Sequence, residues 1–456
     1  MGIISEKISP SDRLVSMFEQ NRELLNRGSS PILNRVREVS IKRFIQSGIP
    51  GFKNEDYKYT NLQPAFEKSY TQELARESGL INLNEVFKCN LPELDSHLVF
   101  LVNGWFYSGN NPGAKLPKGV VFGSLEQIAN EKPELLQNYL NRQAGLSNDP
   151  FVALNTAFVK DGFFMFVPKG VAVEKPVQII NLLSSEVSMM VTQRNLIVAE
   201  AGCQVKILVC DHTLTTESFL FNSVTEVFVG DDAMVDVYTI QNHHNQSTTI
   251  NSSFFKLQRN SNLVTGVVSL HGGLIRNNLK VTFSGEHAEA NVNGLSFTDK
   301  KQHVDNYTVI EHSSPNCLSN QIYKNILDDE STGAFSGRIH VARDAQQTNA
   351  FQRNNNVLLS DKAKMQTKPQ LIINADDVKC SHGATVGQIN EEALFFMRAR
   401  GIGERDARMM LMNAFAHEVV QKITSEPLRN RIDELIEKRL NGEVSRCHTC
   451  SYQCNC

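Results

Sequence analysis

Hydrophobic residues recur along this chain with two different periods, and the change of period divides it. Over about the first 60 residues, Leu14, Phe18, Leu24 and Leu25, then Leu33, Val36, Val39 and Phe44, follow a spacing near 3.6 that predicts amphipathic helices. The turn Gly48-Ile49-Pro50-Gly51 closes that pattern. A mixed stretch follows, in which 98–102 reads as a strand and 135–140 as more helix. From about Phe163 short alternating runs take over, at 204–209, 219–229, 234–240, 263–270, 279–283 and 304–310. Glycine, asparagine and aspartate punctuate them, as at Gly202, Gly230-Asp231-Asp232, Gly272-Gly273 and Gly285.

Roughly 220 residues of short strands, without the intervening helices of a βαβ pattern, predict an all-β unit. A sandwich, a barrel and a stacked solenoid all satisfy the periodicity. No repeat of fixed length stands out, so a solenoid has to be irregular. Proline usage agrees with long ladders: none of the 14 prolines falls between Pro176 and Pro315. A central strand cannot spare its backbone N–H, which proline lacks. Helical spacing returns after the strands. Asn390 suits an N-cap ahead of Glu391 and Glu392, and Gly401 suits the C-terminal end. A second helix is expected to bury a stripe of Ala407, Met410, Leu411, Ala414, Phe415 and Val419. A third runs through Leu428, Ile432, Leu435, Ile436 and Leu440. The expected organisation is an N-terminal, mostly helical region over 1–150, a β core over 151–388, a helical domain over 389–442 and a Cys-rich tail over 443–456.

Composition narrows the function classes. The net charge of −3 and the lack of a basic block argue against nucleic acid as a partner. No apolar run reaches the roughly 18 residues of a membrane span, and the first residues lack a secretory apolar core. A cytoplasmic protein is expected. Walker A, G-x-S-x-G, H-E-x-x-H and Rossmann patterns are all missing, which favours an assembly or binding role over a standard enzyme. A β-solenoid polysaccharide lyase would need carboxylates grouped along the strands, and no such grouping occurs.

The most informative stretch runs from Asp376 to Gly387. Cys380 and His382 lie two residues apart in an extended segment, so they project to one face. Thiolate and imidazole are ligand types that iron and zinc accept. Asp376 and Asp377 are candidate acceptors behind the histidine, or plain turn residues. The tail holds Cys447, Cys450, Cys454 and Cys456, a thiol tetrad more compressed than structural zinc sites, with the imidazole of His448 beside it. The other cysteines are scattered, so the nine do not form a disulfide framework.

The run from Asp376 to Gly401, DDVKCSHGATVGQINEEALFFMRARG, resembles the SufB/SufD family of the bacterial SUF iron–sulfur cluster assembly machinery, in its D-type form. Asn103-Gly104, Leu154-Asn155-Thr156-Ala157, Val167-Pro168-Lys169-Gly170, Asp305-Asn306-Tyr307 and Thr367-Lys368-Pro369-Gln370 extend the likeness from about Gly48 to Leu440. Two departures stand out. Tyr57 occupies a position where the family usually has tryptophan, and the tail from Cys447 to Cys456 lies outside the resemblance; the D-type reading also agrees with the lack of the B-type cysteine cluster near the N-terminus, since the first cysteine is Cys89. The resemblance implies a right-handed parallel β-helix core between helical N- and C-terminal regions, a non-enzymatic scaffold, and pairing with a SufB-like paralogue. It implies His382, with Cys380 beside it, at a nascent iron–sulfur cluster or iron held at the interface with that paralogue. It also implies a SufC-like ATPase docked on the C-terminal helices, which makes Arg398, Arg400, Glu404, Arg405 and Met409 candidate contacts. Self-pairing as a homodimer stays open.

Overall fold

The computed structural model describes residues 9–74, 95–107 and 116–441; Cys89 and the tail cysteines lie outside them. The helices are α1 (Pro10–Asn26), α2 (Pro31–Ser47), α3 (Gln63–Glu67), α4 (Leu125–Glu131), α5 (Pro150–Phe158), α6 (Glu391–Ala399), α7 (Glu404–Val420) and α8 (Glu426–Leu440). Their starts follow from local chemistry. Ser9, Ser30, Asp149 and Asn390 each accept a first-turn amide on the side chain, and in the first three a proline follows at the first helical position. The helix expected over 135–140 is instead a short 3-10 turn (Pro133–Leu135) with further turns, although Leu136 and Leu140 are buried as the apolar spacing requires.

Nineteen strands among the described residues make up the body. The first nine are β1 (His97–Val102), β2 (Trp105–Tyr107), β3 (Val121–Ser124), β4 (Phe163–Val167), β5 (Val177–Leu183), β6 (Met189–Ala199), β7 (Gln204–Thr213), β8 (Phe219–Val229) and β9 (Met234–Asn242). Then come β10 (Thr248–Leu257), β11 (Asn262–His271), β12 (Leu274–Phe283), β13 (Glu289–Thr298) and β14 (His303–His312). The last five are β15 (Leu318–Leu327), β16 (Thr332–Val341), β17 (Thr348–Leu358), β18 (Lys364–Ile373) and β19 (Val378–Gly387).

From β4 onward successive strands alternate between two sheets, ordered β19-β17-β15-β13-β11-β9-β7-β5-β1-β2 and β18-β16-β14-β12-β10-β8-β6-β4-β3. Pairing is parallel throughout, apart from β1 with β2 and β3 with β4. This is a parallel β-solenoid, the option the family likeness implied. Its first strands, β1 to β3, come from the stretch expected to be mostly helical.

The repeat is irregular for a visible reason. Leu220 pairs with Thr248, then Thr248 with Leu274, Leu274 with His303, His303 with Thr332 and Thr332 with Lys364, which are steps of 28, 26, 29, 29 and 32 residues. The strands stay near ten residues, so the corners absorb the variation. One corner nevertheless has a fixed geometry. Gly170, Gly202, Asp232, Asn260, His287, Asn316 and Gln347 all take φ between 55° and 72°, one per coil. The left-handed region suits Gly, Asn and Asp, and each such turn brings the chain round onto its next coil. Gly202, Asp232, Asn260 and Gln347 each donate the backbone amide to a carbonyl one coil on.

The interior between the sheets is apolar on one side, with Ile197, Val227, Phe255, Val281 and Ile310 facing Val205, Val235, Leu263 and Ala290. On the other side it is polar: Asn181 donates to Asp211, Gln241 to Asn277, and Asn277 to Asn306. Each outer sheet face is also covered. Helices α1 and α5 pack Phe18, Phe151 and Leu154 against Met190, Leu220 and Ile250. On the opposite face α7 and α8 set Met412, Ala416, Val420, Ile432 and Ile436 against Leu208, Ile240, Val268 and Ile322. The buried stripe of α7 is therefore Ala407, Met412, Ala416, Val419 and Val420, while Met410 and Ala414 face outward. This helix is apolar on two sides, and contact with the sheet selects which one is buried.

The N-terminal region is pinned by a buried cation. Arg276 on β12 is 1% exposed, pairs with Asp305 and donates to Asn278 Oδ1 at 2.7 Å. Its guanidinium carbon sits 4.4 Å from the Tyr57 ring centroid and 4.8 Å from that of Tyr307. Tyr57 donates its hydroxyl to Asp149, and Thr60 donates to Asp305. Removing Arg276 or Asp305 alone strands the buried charge of the other, at a cost of about 3–5 kcal/mol.

Burial also sets a pH limit. His312 stacks on Phe283 with centroids 4.3 Å apart, its Nε2 lies 2.9 Å from Ser319 Oγ, and burial pushes its pKa down to about 3. An unfolded histidine titrates near 6.5, so below that pH the unfolded chain takes up a proton that the fold refuses. This stability is fully present above pH ~6.5 and is lost as pH falls toward 3. His312→Gln is therefore predicted to lose less stability on acidification than wild type, by about 1.4 kcal/mol per pH unit below pH ~6. Denaturant unfolding across pH 4.5–7.5 measures it, and parallel pH profiles would contradict the assignment.

Candidate functional site at the open end of the solenoid

The last coil leaves β18 and β19 paired on one side only among the described residues. Each presents a row of backbone donors and acceptors along ten residues, a surface that natural proteins normally cover or blunt. The apolar side chains Phe351, Ile372, Ile373 and Val386 are exposed there. One end of the solenoid is therefore built like an interior and carries no cap among the described residues.

Cys380 and His382 both lie on β19, paired in register with Ala350 and Gln352 of β17. Ala350 belongs to the interior core, and Cys380 packs half-buried against that core. Strand alternation puts His382 on the same inward row. The row is open at its end, so the imidazole is exposed. The structure thus brings together the two residues singled out from sequence and leaves the ring accessible. Burial pushes the Cys380 thiol above its ordinary value, with a smaller opposing effect from a backbone hydrogen bond to Ala350. Asp376 and Asp377 are exposed in the preceding corner, where the Asp377 amide donates to Gln346 Oε1 at 2.9 Å. Among the described residues, no three His, Cys, Asp or Glu side chains come together to hold an ion. On its own side the chain offers two ligands, short of the four that tetrahedral zinc or a cluster iron takes.

A second exposed surface lies on α6 and α7. Arg398, Arg400, Glu404 and Arg405 are all solvent-facing; Arg398 and Arg408 both reach Glu404 at 3.3 Å, and Arg405 donates to the Asn441 carbonyl at 3.4 Å. Met409 is half-buried against the core that α7 and α8 form with the sheet. The exposed apolar residues are Phe395 (68%), Phe396 and Met410. Sequence reasoning missed the two phenylalanines, although an adjacent Phe-Phe pair on a helix with one buried leucine is a legible signal. Helix α7 is anchored beneath this surface by Lys324, which donates to the Phe415 carbonyl at 2.9 Å and pairs with Glu418.

Residues 181–415 match the family described as "SUF system FeS cluster assembly, SufBD core domain", and residues 8–179 match "SufBD protein N-terminal region". The chain belongs to the SufB/SufD family. It is 29% identical over 402 residues to an iron–sulfur cluster assembly SufBD family protein of Synechocystis, covering 86% of this chain and 87% of that one. It is 40% identical over 173 residues to the iron–sulfur cluster assembly protein SufD of Escherichia coli, covering 38% and 41%. Protein ABCI7, chloroplastic, of Arabidopsis thaliana is 28% identical over 416 residues, covering 88% and 85%. No described helix is long and apolar enough to cross a membrane.

The raised thiol gives a direct test of the site's electrostatics, because the thiolate is the reactive form. Cys380 is predicted to react with iodoacetamide more slowly at pH 7.5 than an exposed cysteine peptide. Its rate should keep climbing at pH values where the peptide has levelled off. Peptide-resolved mass spectrometry follows the residue, and a rate matching the free thiol would contradict the burial effect.

Proposed function

We propose that this chain is a non-enzymatic scaffold subunit of an iron–sulfur cluster assembly complex, and that it supplies one wall of an interfacial site where iron or a nascent cluster is held. The observation that carries this reading is the accessible His382, sharing an inward face with Cys380 on a terminal strand that has no neighbour on its outer side among the described residues. Imidazole and thiolate suit iron, and two ligands from one chain leave coordination positions for a partner. The partner in this reading is a SufB-like paralogue that covers the open end, pairs with the free strand edges and buries Phe351, Ile372 and Val386. The Cys380 thiol loses its proton when metal binds, so loading releases protons and favours higher pH.

The exposed face of α6 and α7 is read as the seat of a SufC-like ATPase. Phe395 and Phe396 are the apolar anchors, with Arg398, Arg400 and Arg405 at the rim, and Met409 supports the helix from beneath. ATP hydrolysis belongs to that partner, and this chain positions ligands.

His382→Ala, co-expressed with the paralogue and the ATPase, is predicted to assemble normally and to carry severalfold less iron by anaerobic absorption and metal analysis. Normal iron loading in that variant would overturn the role given to the ring. Phe395→Asp is predicted to weaken ATPase binding at least about tenfold, as loss of a buried aromatic anchor does. Pairing with the paralogue should be retained. Unchanged ATPase affinity by calorimetric titration would remove α6 from that interface.

A further inference from the structure

The space between the two sheets is not filled evenly. The apolar core fixes which side chains point into it: Val227 and Val229 on β8, Val235 and Val237 on β9, Phe255 and Leu257 on β10. Strand alternation puts Thr225, Thr239 and Ser253 on the same inward side. Inward residues of a close-packed solenoid should be fully buried. These three nevertheless keep part of their surface accessible, as do Val209, Val267 and Leu279. All six line one cavity of ≈70 Å³ between the sheets.

The wall of this cavity is polar where the core beside it is apolar. Asp211, Ser223, Thr265 and Tyr323 also line it, and each is more than nine-tenths buried. Among the described residues, the hydroxyls of Ser223, Thr239, Ser253, Thr265 and Tyr323 have no hydrogen-bond partner. Asp211 has one, Asn181, whose Nδ2 donates to a carboxylate oxygen at 2.8 Å, and burial pushes the carboxyl pKa up to about 7. A buried hydroxyl without a partner carries a desolvation cost that valine or alanine would avoid. Five hydroxyls and a carboxyl around one cavity therefore suit an occupant that both donates and accepts. A bare cation satisfies acceptors alone, and Asp211 is the single acid among the lining residues.

We infer that the cavity is a binding site for a cluster of ordered water molecules, held by Ser223, Thr239, Ser253, Thr265, Tyr323 and Asp211. At roughly 10–15 Å³ of such space per molecule, ≈70 Å³ admits about five waters. They give each hydroxyl a partner and complete both oxygens of Asp211, whether the carboxyl is charged or neutral. No residue of β16–β19 lines the cavity, so the water site is separate from the open end that carries His382. Tyr323 on β15 stands toward that end. Its ring packs on Phe335 with centroids 5.0 Å apart and lies so close to Gly294 that any side chain there would overlap it.

High-resolution crystals of the full chain, measured with and without xenon pressure, test the inference. Xenon enters dry apolar cavities, whereas a polar, hydrated one excludes it. Wild type is predicted to show water density within hydrogen-bonding distance of the Thr239, Ser253 and Thr265 hydroxyls, and no xenon. The triple variant Thr239→Val, Ser253→Ala, Thr265→Val nearly preserves the shape and removes those hydroxyls. It is predicted to lose the water density beside the three positions and to admit xenon. Xenon in the wild-type cavity, or a lack of water density there, would overturn the inference. Unchanged waters in the variant would overturn the role given to the hydroxyls. The wild-type crystals decide the matter even if the variant does not fold.

Discussion

In-register parallel pairing from one coil to the next is the constraint on which the rest of this structure depends. Each strand of the solenoid is hydrogen-bonded to strands one coil before and one coil after it, so inward residues form continuous rows along the molecule. A slip of one residue would turn a whole row from interior to exterior. The corners take up differences in length between coils, and the left-handed turn at one corner is repeated from Gly170 to Gln347. Because pairing stops at β18 and β19, the same rule that builds the core also produces an unsatisfied end.

The two sheets each have a second apolar face, and the chain uses its own termini to cover them. Helices α1 and α5 cover one face and α7 and α8 the other, with Arg276 between Tyr57 and Tyr307 locking the N-terminal region in place. Both flanks are thereby closed, and among the described residues the end of the last coil is left open. The surface available to a partner is thus a remainder, set by which faces the helices already occupy. His382 lies on that remainder.

Much of this was legible before any coordinates. Asn390 marked a helix start through side-chain capping, a local effect that needs no tertiary contact. The strand runs were legible too, and the solenoid among them only through the family resemblance. The repeat was hidden because its steps vary from 26 to 32 residues and its corner residue changes from Gly to Asp, Asn, His and Gln. The helix expected over 135–140 and the wrong stripe on α7 failed for a common reason. Apolar spacing says that residues will be buried, and only the neighbouring surface says which ones and in what backbone form.

By itself the sequence determined the alternation of helical and β regions, the caps, and the single face shared by Cys380 and His382. Those properties depend on neighbours a few positions away, where side-chain spacing and backbone geometry decide the outcome. Only the tertiary structure decided that this face ends a solenoid with no cap among the described residues, that Phe395 and Phe396 stay exposed, and that a polar cavity lies between the sheets. Such features come from pairing between residues about 30 positions apart, at offsets set by corners of unequal length, which no local pattern encodes.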